Sequence, residues 1–506
     1  MRRPIRTLAL SLLAISCATA QAQRSRDENR ALREAREQAK LAEEMARLGE
    51  PVKFAEPLLG LSLAPGTVLD LEYDPFAEVW SGWLSNGIRL HVRVMPERPG
   101  AFDTIVLLAG SNLLESQEQR GLSQAAAQML GRPATLELSA DALMERINPR
   151  SVRLGCTAGR DALSLRVRGN VHEMATGFEL AHAVLTEPGE QPDMLRNWIE
   201  IEATRAERQR ATPSGLLVPI TWTTIGASAY TPLAPLSPGQ MRAISSEDAR
   251  EWILAHGCSA PASVAIVGGF NPAQVIELAA KYFGSLPPRP RIAADTYASL
   301  RTLPTVNAPL DHTLEIESEA TEAAIALGWI GADGTNPDLA QRLQIGAMVL
   351  RIALEQALVK DGGMARAAVA QFFPNADFEH AGTCLTAALV DPEQAETALI
   401  GLAEAIDAAA GGNLDAEAFE KARLAAIENA SRLALEMTHW SEHLAESTYR
   451  GQSIREPLRA AEGYASLTPA ECLDAINALR AGGRLFRVIV RSAPKPAKDD
   501  AASPES

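Results

Sequence analysis

The stretch HWSEH, from His439 to His443, contains residue types that could bind a metal ion and activate a water molecule. On a helix, His-x-x-Glu-His sets two imidazoles one turn apart on one face, where both can bind zinc, and places the glutamate to act as a general base. A third ligand could come from a later acidic residue, Glu446, Glu462 or Glu471. No Gly-rich or histidine-bearing segment follows to complete such a site. A zinc endopeptidase using His439, Glu442 and His443 is therefore kept as an alternative hypothesis.

The remaining chemistry-bearing side chains form no second constellation. Six other histidines stand singly on predicted strands or helices and are expected to be structural: His91, His172, His182, His256, His312 and His380. Four cysteines include no Cys-x-x-Cys pair and are expected to be buried free thiols: Cys156, Cys258, Cys384 and Cys472. There is no Gly-x-Ser-x-Gly motif and no phosphate-binding Gly-Lys-Ser/Thr loop. We therefore expect no cofactor, with zinc as the alternative.

Composition limits the class of partner. The chain has 506 residues, 46% hydrophobic and 22% charged, which is typical of a globular protein of two or three domains. Its formal net charge of −15 argues against nucleic acid, because phosphate binding needs a basic surface.

The first residues, MRRPIRTLALSLLAISCATAQAQ, predict an export signal. Three arginines precede an apolar run from Leu8 to Ile15 that is too short to span a bilayer, and small residues precede a cut after Ala22. We predict a signal peptide over residues 1–22 and a periplasmic location. As an alternative, AISC ending at Cys17 could be a lipoprotein cleavage box, with a lipid anchor on that cysteine. No other segment of the sequence is apolar and long enough to cross a membrane.

The order of predicted elements indicates an internal duplication. Residues 23–80 are predicted to form a charged helical arm, over Arg24–Glu50, and an extension. Residues 81–290 and 310–493 each run from paired strands through helices to a late apolar strand, with a Pro-rich linker over 291–309 and a disordered tail over 494–506. In the second half, one long helix is predicted from about Ala416 to Tyr449, with HWSEH inside it. The predicted fold class is α+β.

Three motifs in this order resemble the insulinase/pitrilysin family of zinc peptidases, which includes the mitochondrial processing peptidases. They are LSNGIRLHVRV, AGSNLLESQEQRGLSQAAAQML and SVAIVGGFNPAQVIELAAKYFGSLP, and the resemblance covers roughly Trp83 to Ser492. It implies two duplicated metalloenzyme domains of the LuxS/processing-peptidase type. Each would have an antiparallel-rich sheet packed with helices, and together they would form half a clamshell.

The zinc-binding residues of that family are replaced here. The family helix reads Gly-Leu-Ala-His-x-x-Glu-His-Met-Leu, whereas this chain has GLSQAAAQML, so Gln124 and Gln128 stand at the histidine positions and Ala127 at the general base. Glutamine amides are poor zinc ligands and alanine cannot take a proton from water. The family's third ligand, a later glutamate, falls near Glu200, Glu202 or Glu207. The resemblance therefore implies an inactive site.

The family's substrate-gripping pair is also altered. The family pattern Leu-Arg-Glu-x-x-Gly-Leu-Ala-Tyr corresponds to LVKDGGMARA, where Val359 replaces the arginine and Arg366 the tyrosine. Some bacterial members work as unlike pairs, one chain contributing zinc and the other this grip. We therefore expect an exported pseudoenzyme that binds extended peptides or completes the chamber of a zinc-bearing paralogue. The alternatives are the HWSEH endopeptidase and an envelope scaffold held through residues 24–50.

Overall fold

The computed structural model describes residues 51–226, 233–303, 310–412 and 414–493. The predicted signal peptide, Cys17, the charged helix over residues 24–50 and the tail over 494–506 lie outside the described residues.

The first half of the chain builds a seven-stranded sheet in the spatial order β1-β2-β3-β7-β4-β6-β5. Its strands are Val68–Asp74 (β1), Val79–Leu84 (β2), Arg89–Pro99 (β3), Ala101–Ala109 (β4), Val152–Ala158 (β5), Ala162–Asn170 (β6) and Ala262–Gly269 (β7). The turn between β2 and β3 contains Asn86 and Gly87, and Gly87 has a φ of 95°, which a side chain would strain. Asn86 ties this turn to the domain by donating to the carbonyls of Phe283 and Leu286.

The second half builds a five-stranded sheet in the order β10-β11-β9-β12-β8. Its strands are Leu310–Ile316 (β8), Ala323–Ala332 (β9), Ala365–Phe373 (β10), Gly382–Val390 (β11) and Arg484–Ser492 (β12). The order β3-β7-β4-β6-β5 of the first sheet matches β8-β12-β9-β11-β10 of the second strand for strand. In each sheet only the corresponding pair, β3 with β7 and β8 with β12, runs parallel. The predicted duplication of an α+β unit is confirmed.

Helices cover both sheets. The α-helices of the described residues are Leu122–Gly131 (α1), Ala140–Ile147 (α2), Met174–Thr186 (α3), Pro192–Arg210 (α4), Pro213–Ile225 (α5), Pro238–Arg242 (α6), Ser246–Trp252 (α7), Pro272–Tyr282 (α8), Pro337–Leu354 (α9), Ala395–Gly411 (α10), Ala416–Leu433 (α11), Met437–Arg450 (α12), Glu456–Ser466 (α13) and Pro469–Gly482 (α14). The first core packs α1, α3 and α8 on one face of the first sheet, and α9, α10 and α14 pack on the corresponding face of the second. No described helix is apolar over a length that would cross a membrane.

The two halves exchange one helix each. Helix α5 of the first half buries Leu216 and Leu217 against the free face of the second sheet. Helix α12 of the second half buries Trp440, Leu444 and Tyr449 against the free face of the first sheet. Both helices are the third after the corresponding hairpin, β5–β6 or β10–β11, so the exchange is reciprocal. Neither sheet is covered on both faces by its own half.

The predicted continuous helix from Ala416 to Tyr449 is wrong at its centre. The chain leaves helical geometry between α11 and α12, where Glu436 is extended, and the indole of Trp440 donates to the Ala434 carbonyl. No glycine or proline causes the break. It occurs because α12 must turn away to pack on the first sheet, and the apolar surface it buries there outweighs the helical propensity of the sequence.

The segment before residue 81 contributes more to the first sheet than the sequence indicated. Residues 51–67 are extended along the first core, and β1 pairs with β2 at the sheet edge. The buried carboxylate of Glu179 accepts from the backbone amides of Leu59 (2.6 Å) and Leu61 (2.9 Å). The Gln274 side chain bonds both backbone groups of Val52. These contacts fix the extension on the fold.

A buried ionic cluster joins the halves at the β5–β6 turn. The carboxylate of Asp161, in that turn, accepts from both terminal nitrogens of Arg450 at the end of α12 and from Arg301 at 3.1 Å. All three side chains are under 10% exposed. Burial alone would lower the pKa of Arg450, but the hydrogen bond to Asp161 and the negative charges of Asp161, Glu446 and Asp377 together outweigh burial and raise that pKa above its ordinary value.

Candidate functional site

The helix that the sequence resemblance assigns as the zinc helix, α1, has a fixed start. Gly121 precedes it with a φ of 98°, and a Cβ there would come within 2.7 Å of Leu236. The buried Glu115 carboxylate accepts from the amides of Gly121 (3.1 Å) and Ser123 (2.8 Å) and pairs with Arg120 at 3.2 Å. An anion at a helix N-terminus is stabilised by the free amides there. The scaffold of the site is therefore intact.

The side chains on this helix do not fit a metal ion. Gln124 and Gln128 lie one turn apart and are both half-buried, in the positions that two imidazoles would need, and Ala127 between them is buried. Two neutral amides offer weak ligands for zinc, and the methyl group offers no base. Among the described residues, no group of three or more His, Cys, Asp or Glu side chains is placed to hold a metal ion.

The glutamates near the third-ligand position are bound to arginines instead. Arg242 pairs with Glu200 at 3.4 Å and with Glu207 at 2.6 Å. Its hydrogen bond to Glu207 lowers the pKa of that carboxyl. Glu202 pairs with Arg205 on its own helix at 3.2 Å.

HWSEH lies on the exchanged helix α12, where its polar side chains serve packing. His443 is hydrogen-bonded through Nε2 to the Ser453 carbonyl at 2.8 Å, and burial lowers its pKa to about 4. Glu442 pairs with Arg166 of β6 at 2.9 Å, and Arg166 also pairs with Asp103 of β4. Burial lowers the pKa of His439 as well. Four of the five residues in this motif are thus engaged in holding α12 against the rest of the fold: the buried Trp440, Ser441, which donates to Asp103, Glu442 and His443.

The three later acids are placed for other roles. Glu446 lies 3.6 Å from Arg450. Glu471 forms the capping box of α14 with Thr468, and Glu462 lies on α13. The structure brings none of them into a described metal-binding group with His439 and His443.

The positions of the predicted substrate grip are also in ordinary contacts. Val359 lies in the π-helical segment that follows α9 and packs against the second core. Arg366, at the start of β10, pairs on the surface with Asp391 at 2.5 Å. Among the described residues, the side chains of Val359 and Arg366 make no contact with α1.

The feature that sequence reasoning missed is the edge strand β5. This strand pairs with β6 on one side only and ends the first sheet. It lies against α1, since a Cβ on Gly131 would come within 2.7 Å of the Cys156 amide nitrogen. A strand edge carries unpaired backbone donors and acceptors that can bind another extended chain. The alternation in SVRLGCTA predicts a strand, but the sequence alone does not say that it lies at the edge.

A cavity of about 620 Å³ opens beside β5 on the face that α12 covers. Arg153, Gly155 and Thr157 of β5 line it, as do Arg166 and Arg168 of β6. The opposite side chains of β5 join the first core, on the face occupied by α1. The edge strand therefore lies between the altered zinc helix and a polar cavity.

Comparison with known proteins identifies relatives of this architecture. Residues 243–425 match the family model described as the peptidase M16 inactive domain. The fold is shared with the M16 inactive domain from Pseudomonas fluorescens, with a TM-score of 0.68 and 16% identity over 82% of this chain and 98% of that one. A comparison with curated protein sequences found no match.

Two longer proteases share the fold. The periplasmic protease PqqL from Escherichia coli has a TM-score of 0.74 and 14% identity over 87% of this chain, and a mutant of the ferredoxin protease FusC, in complex with Arabidopsis ferredoxin, has 0.72 and 14% over 88%. This chain spans only 48% of the length of either. The predicted resemblance to the insulinase (M16) peptidases and the predicted fold class are confirmed.

Proposed function

We propose that this insulinase-family (M16) homologue is an exported, catalytically inactive protein that binds extended peptide segments along β5 and completes the chamber of a zinc-bearing partner. The observation that carries the proposal is the open edge of β5 beside an α1 helix whose zinc positions are amides and a methyl group. The fold around the former zinc site is maintained by Glu115 and Gly121 although the ligands are lost. Binding, and not hydrolysis, is the role that such a site can keep.

Peptide binding follows from the backbone of the edge strand. An extended peptide that adds to a sheet edge gains main-chain hydrogen bonds, and its alternate side chains enter pockets on the two faces. Strand β5 offers both elements, a free edge and an adjacent cavity of about 620 Å³. No zinc is needed for this interaction.

The role as a chamber partner is supported by size. The two proteases with the same fold are each about twice as long, so this chain corresponds to half of such a protein. In the proposed complex, the zinc-bearing partner contributes the other half of the chamber. Export is supported by the N-terminal pattern and by the periplasmic location of the structurally similar protease PqqL.

The partner role is tested by co-expression with a zinc-bearing M16 paralogue from the same genome. We expect the two chains to co-purify and the paralogue to cleave a labelled peptide faster in their complex than alone. Failure of every intact paralogue to associate would refute the chamber role. Tight envelope association that is lost on deletion of residues 24–50, without any peptide binding, would favour the scaffold alternative.

The edge-binding role is tested with a pair of proline variants, Cys156→Pro and Thr157→Pro. Successive amides in a strand point to opposite sides, so one variant breaks a bond to β6 and unfolds the edge, whereas the other removes only an outward donor. We expect the variant that keeps the wild-type unfolding temperature to lose binding of ten-residue peptides rich in β-branched residues, measured by fluorescence anisotropy. Full binding by that folded variant, with no slowing of β5 amide exchange on adding peptide to the wild type, would contradict the proposal.

A further inference from the structure

Two arginines face each other on the outer strands of the first sheet. Arg153 of β5 and Arg168 of β6 are direct cross-strand partners, both are exposed, and both line the cavity beside the edge. Like charges directly opposite each other in a sheet destabilise it. In a chain with a net charge of −15, such a pair does not follow from a general excess of basic residues.

The carboxylates that line the same cavity are already paired with other arginines. The pairs are Asp161 with Arg450 and Arg301, Asp377 with Arg160 (3.3 Å), Glu442 with Arg166 (2.9 Å) and Glu446 with Arg450 (3.6 Å). Among the described residues, Arg153 bonds only the backbone carbonyls of Arg150 and Val152. Within the described ranges, neither Arg153 nor Arg168 has an acidic partner.

The one carboxylate in register with Arg168 is also occupied. Asp103 of β4 lies opposite Arg168, but it is 1% exposed and its carboxylate accepts from Arg166 and from Ser441 of α12. It therefore serves the contact between the halves. The charge of the Arg153–Arg168 pair faces the cavity without compensation.

We infer that the Arg153–Arg168 pair recognises an acidic side chain of the peptide that binds along β5. This inference rests on the proposed function. A residue opposite Arg153 on an added strand would have its Cβ within about 5 Å of that of Arg153, close enough for a carboxylate to reach both guanidinium groups. Because alternate residues face the same side, the next residue on this face lies opposite Gly155.

Gly155 leaves room for a large neighbour. A Cβ built on it meets no atom within 4 Å, and the cavity opens directly beside it. The preferred segment therefore has an aspartate or glutamate, one intervening residue, and a large side chain that enters the space over Gly155. The ligand class is an acidic extended peptide.

The test uses three ten-residue peptides that are identical except for Glu, Gln or Lys at one central position. Binding to the full chain is measured by fluorescence anisotropy at low salt and at 0.5 M salt. We expect the Glu peptide to bind about three- to ten-fold more tightly than the Gln peptide, the range for two exposed ion pairs, and the Lys peptide to bind most weakly. The preference should vanish at 0.5 M salt, where the charges are screened.

The matched variants separate this inference from the function on which it rests. Arg153→Gln with Arg168→Gln should bind the Glu and Gln peptides equally, whereas Arg196→Gln, which removes an exposed arginine of α4 paired with Asp193, should keep the preference. Equal binding of Glu and Gln peptides by the wild type would overturn the acidic preference and leave peptide binding intact. Absence of binding for all three peptides would overturn both.

Discussion

The cluster around Asp161 gives the sharpest test of how the halves are joined. In Asp161→Asn the shape is kept, but one oxygen becomes an amide that cannot accept from the buried arginines Arg301 and Arg450. Removing one member of a buried ion pair typically costs about 3–5 kcal/mol, because the remaining charge is left uncompensated in a dry site. Glu446, 3.6 Å from Arg450, compensates part of that charge, so we expect a loss of about 3 kcal/mol in unfolding free energy.

The assay is urea unfolding followed by tryptophan fluorescence and by far-UV circular dichroism, so that separate unfolding of the halves is detected. The cluster connects α12, the β5–β6 turn and the segment with Arg301. The unfolding transition that occurs at the lowest urea concentration should therefore shift to still lower urea. Asp311→Asn is the control, since Asp311 forms a half-exposed pair with Arg487 at 3.3 Å and its removal should cost under about 1 kcal/mol. A loss of less than about 1 kcal/mol for Asp161→Asn would refute the view that this cluster joins the halves.

Further tests concern the metal content of the chain, the Glu179 carboxylate, the buried His91 and the repulsion at Arg168. Metal analysis of the purified chain should find well under one zinc per molecule; a full equivalent that is lost on changing His439 and His443 to alanine would instead support the HWSEH peptidase. Glu179→Gln should lower the unfolding free energy by about 2 kcal/mol and expose residues 51–67 to proteases, because two charge-assisted bonds to that segment weaken. Unchanged digestion would argue against the role of Glu179 in holding this segment. Burial lowers the pKa of His91 to about 3, so between pH 6.5 and 3 the unfolded state binds more protons than the folded state. The unfolding free energy should therefore fall by up to about 1.4 kcal/mol per pH unit as pH decreases. His91→Gln should reduce this slope in urea titrations carried out at several pH values. Arg168→Gln should raise unfolding free energy by about 0.5 kcal/mol by relieving the repulsion across β5 and β6, and a lower unfolding temperature would count against that repulsion.

Local sequence was sufficient for the elements whose cause is local. The Asn86–Gly87 turn fixes the β2–β3 hairpin, and Asn271 caps α8, because its side chain accepts from the amides of Ala273 and Gln274. The assignment of Gln124, Ala127 and Gln128 to the family's zinc positions rests on the motif alone and stays a prediction. These features need only a few neighbouring residues.

The rest depends on contacts between distant segments. The periodicity of α12 shows an apolar face but does not say that the sheet it covers belongs to the other half. The Arg153–Arg168 pair appears only once β5 and β6 are in register, because the two residues are 15 positions apart in sequence but directly opposite each other in the sheet. Strand β1 was missed because VLDLEYD gains its place from pairing with β2.

The reciprocal exchange of α5 and α12 has a consequence for biosynthesis. A ribosome releases Gly269, the last residue of the first sheet, 181 residues before Arg450, the last of the helix that covers it (450 − 269). At 5–20 residues per second, this interval lasts roughly 10–35 s. During that time the apolar face of the first sheet that α12 later covers is exposed to solvent. Holdase chaperones can bind such a face, and we expect the first half to aggregate when it is produced alone.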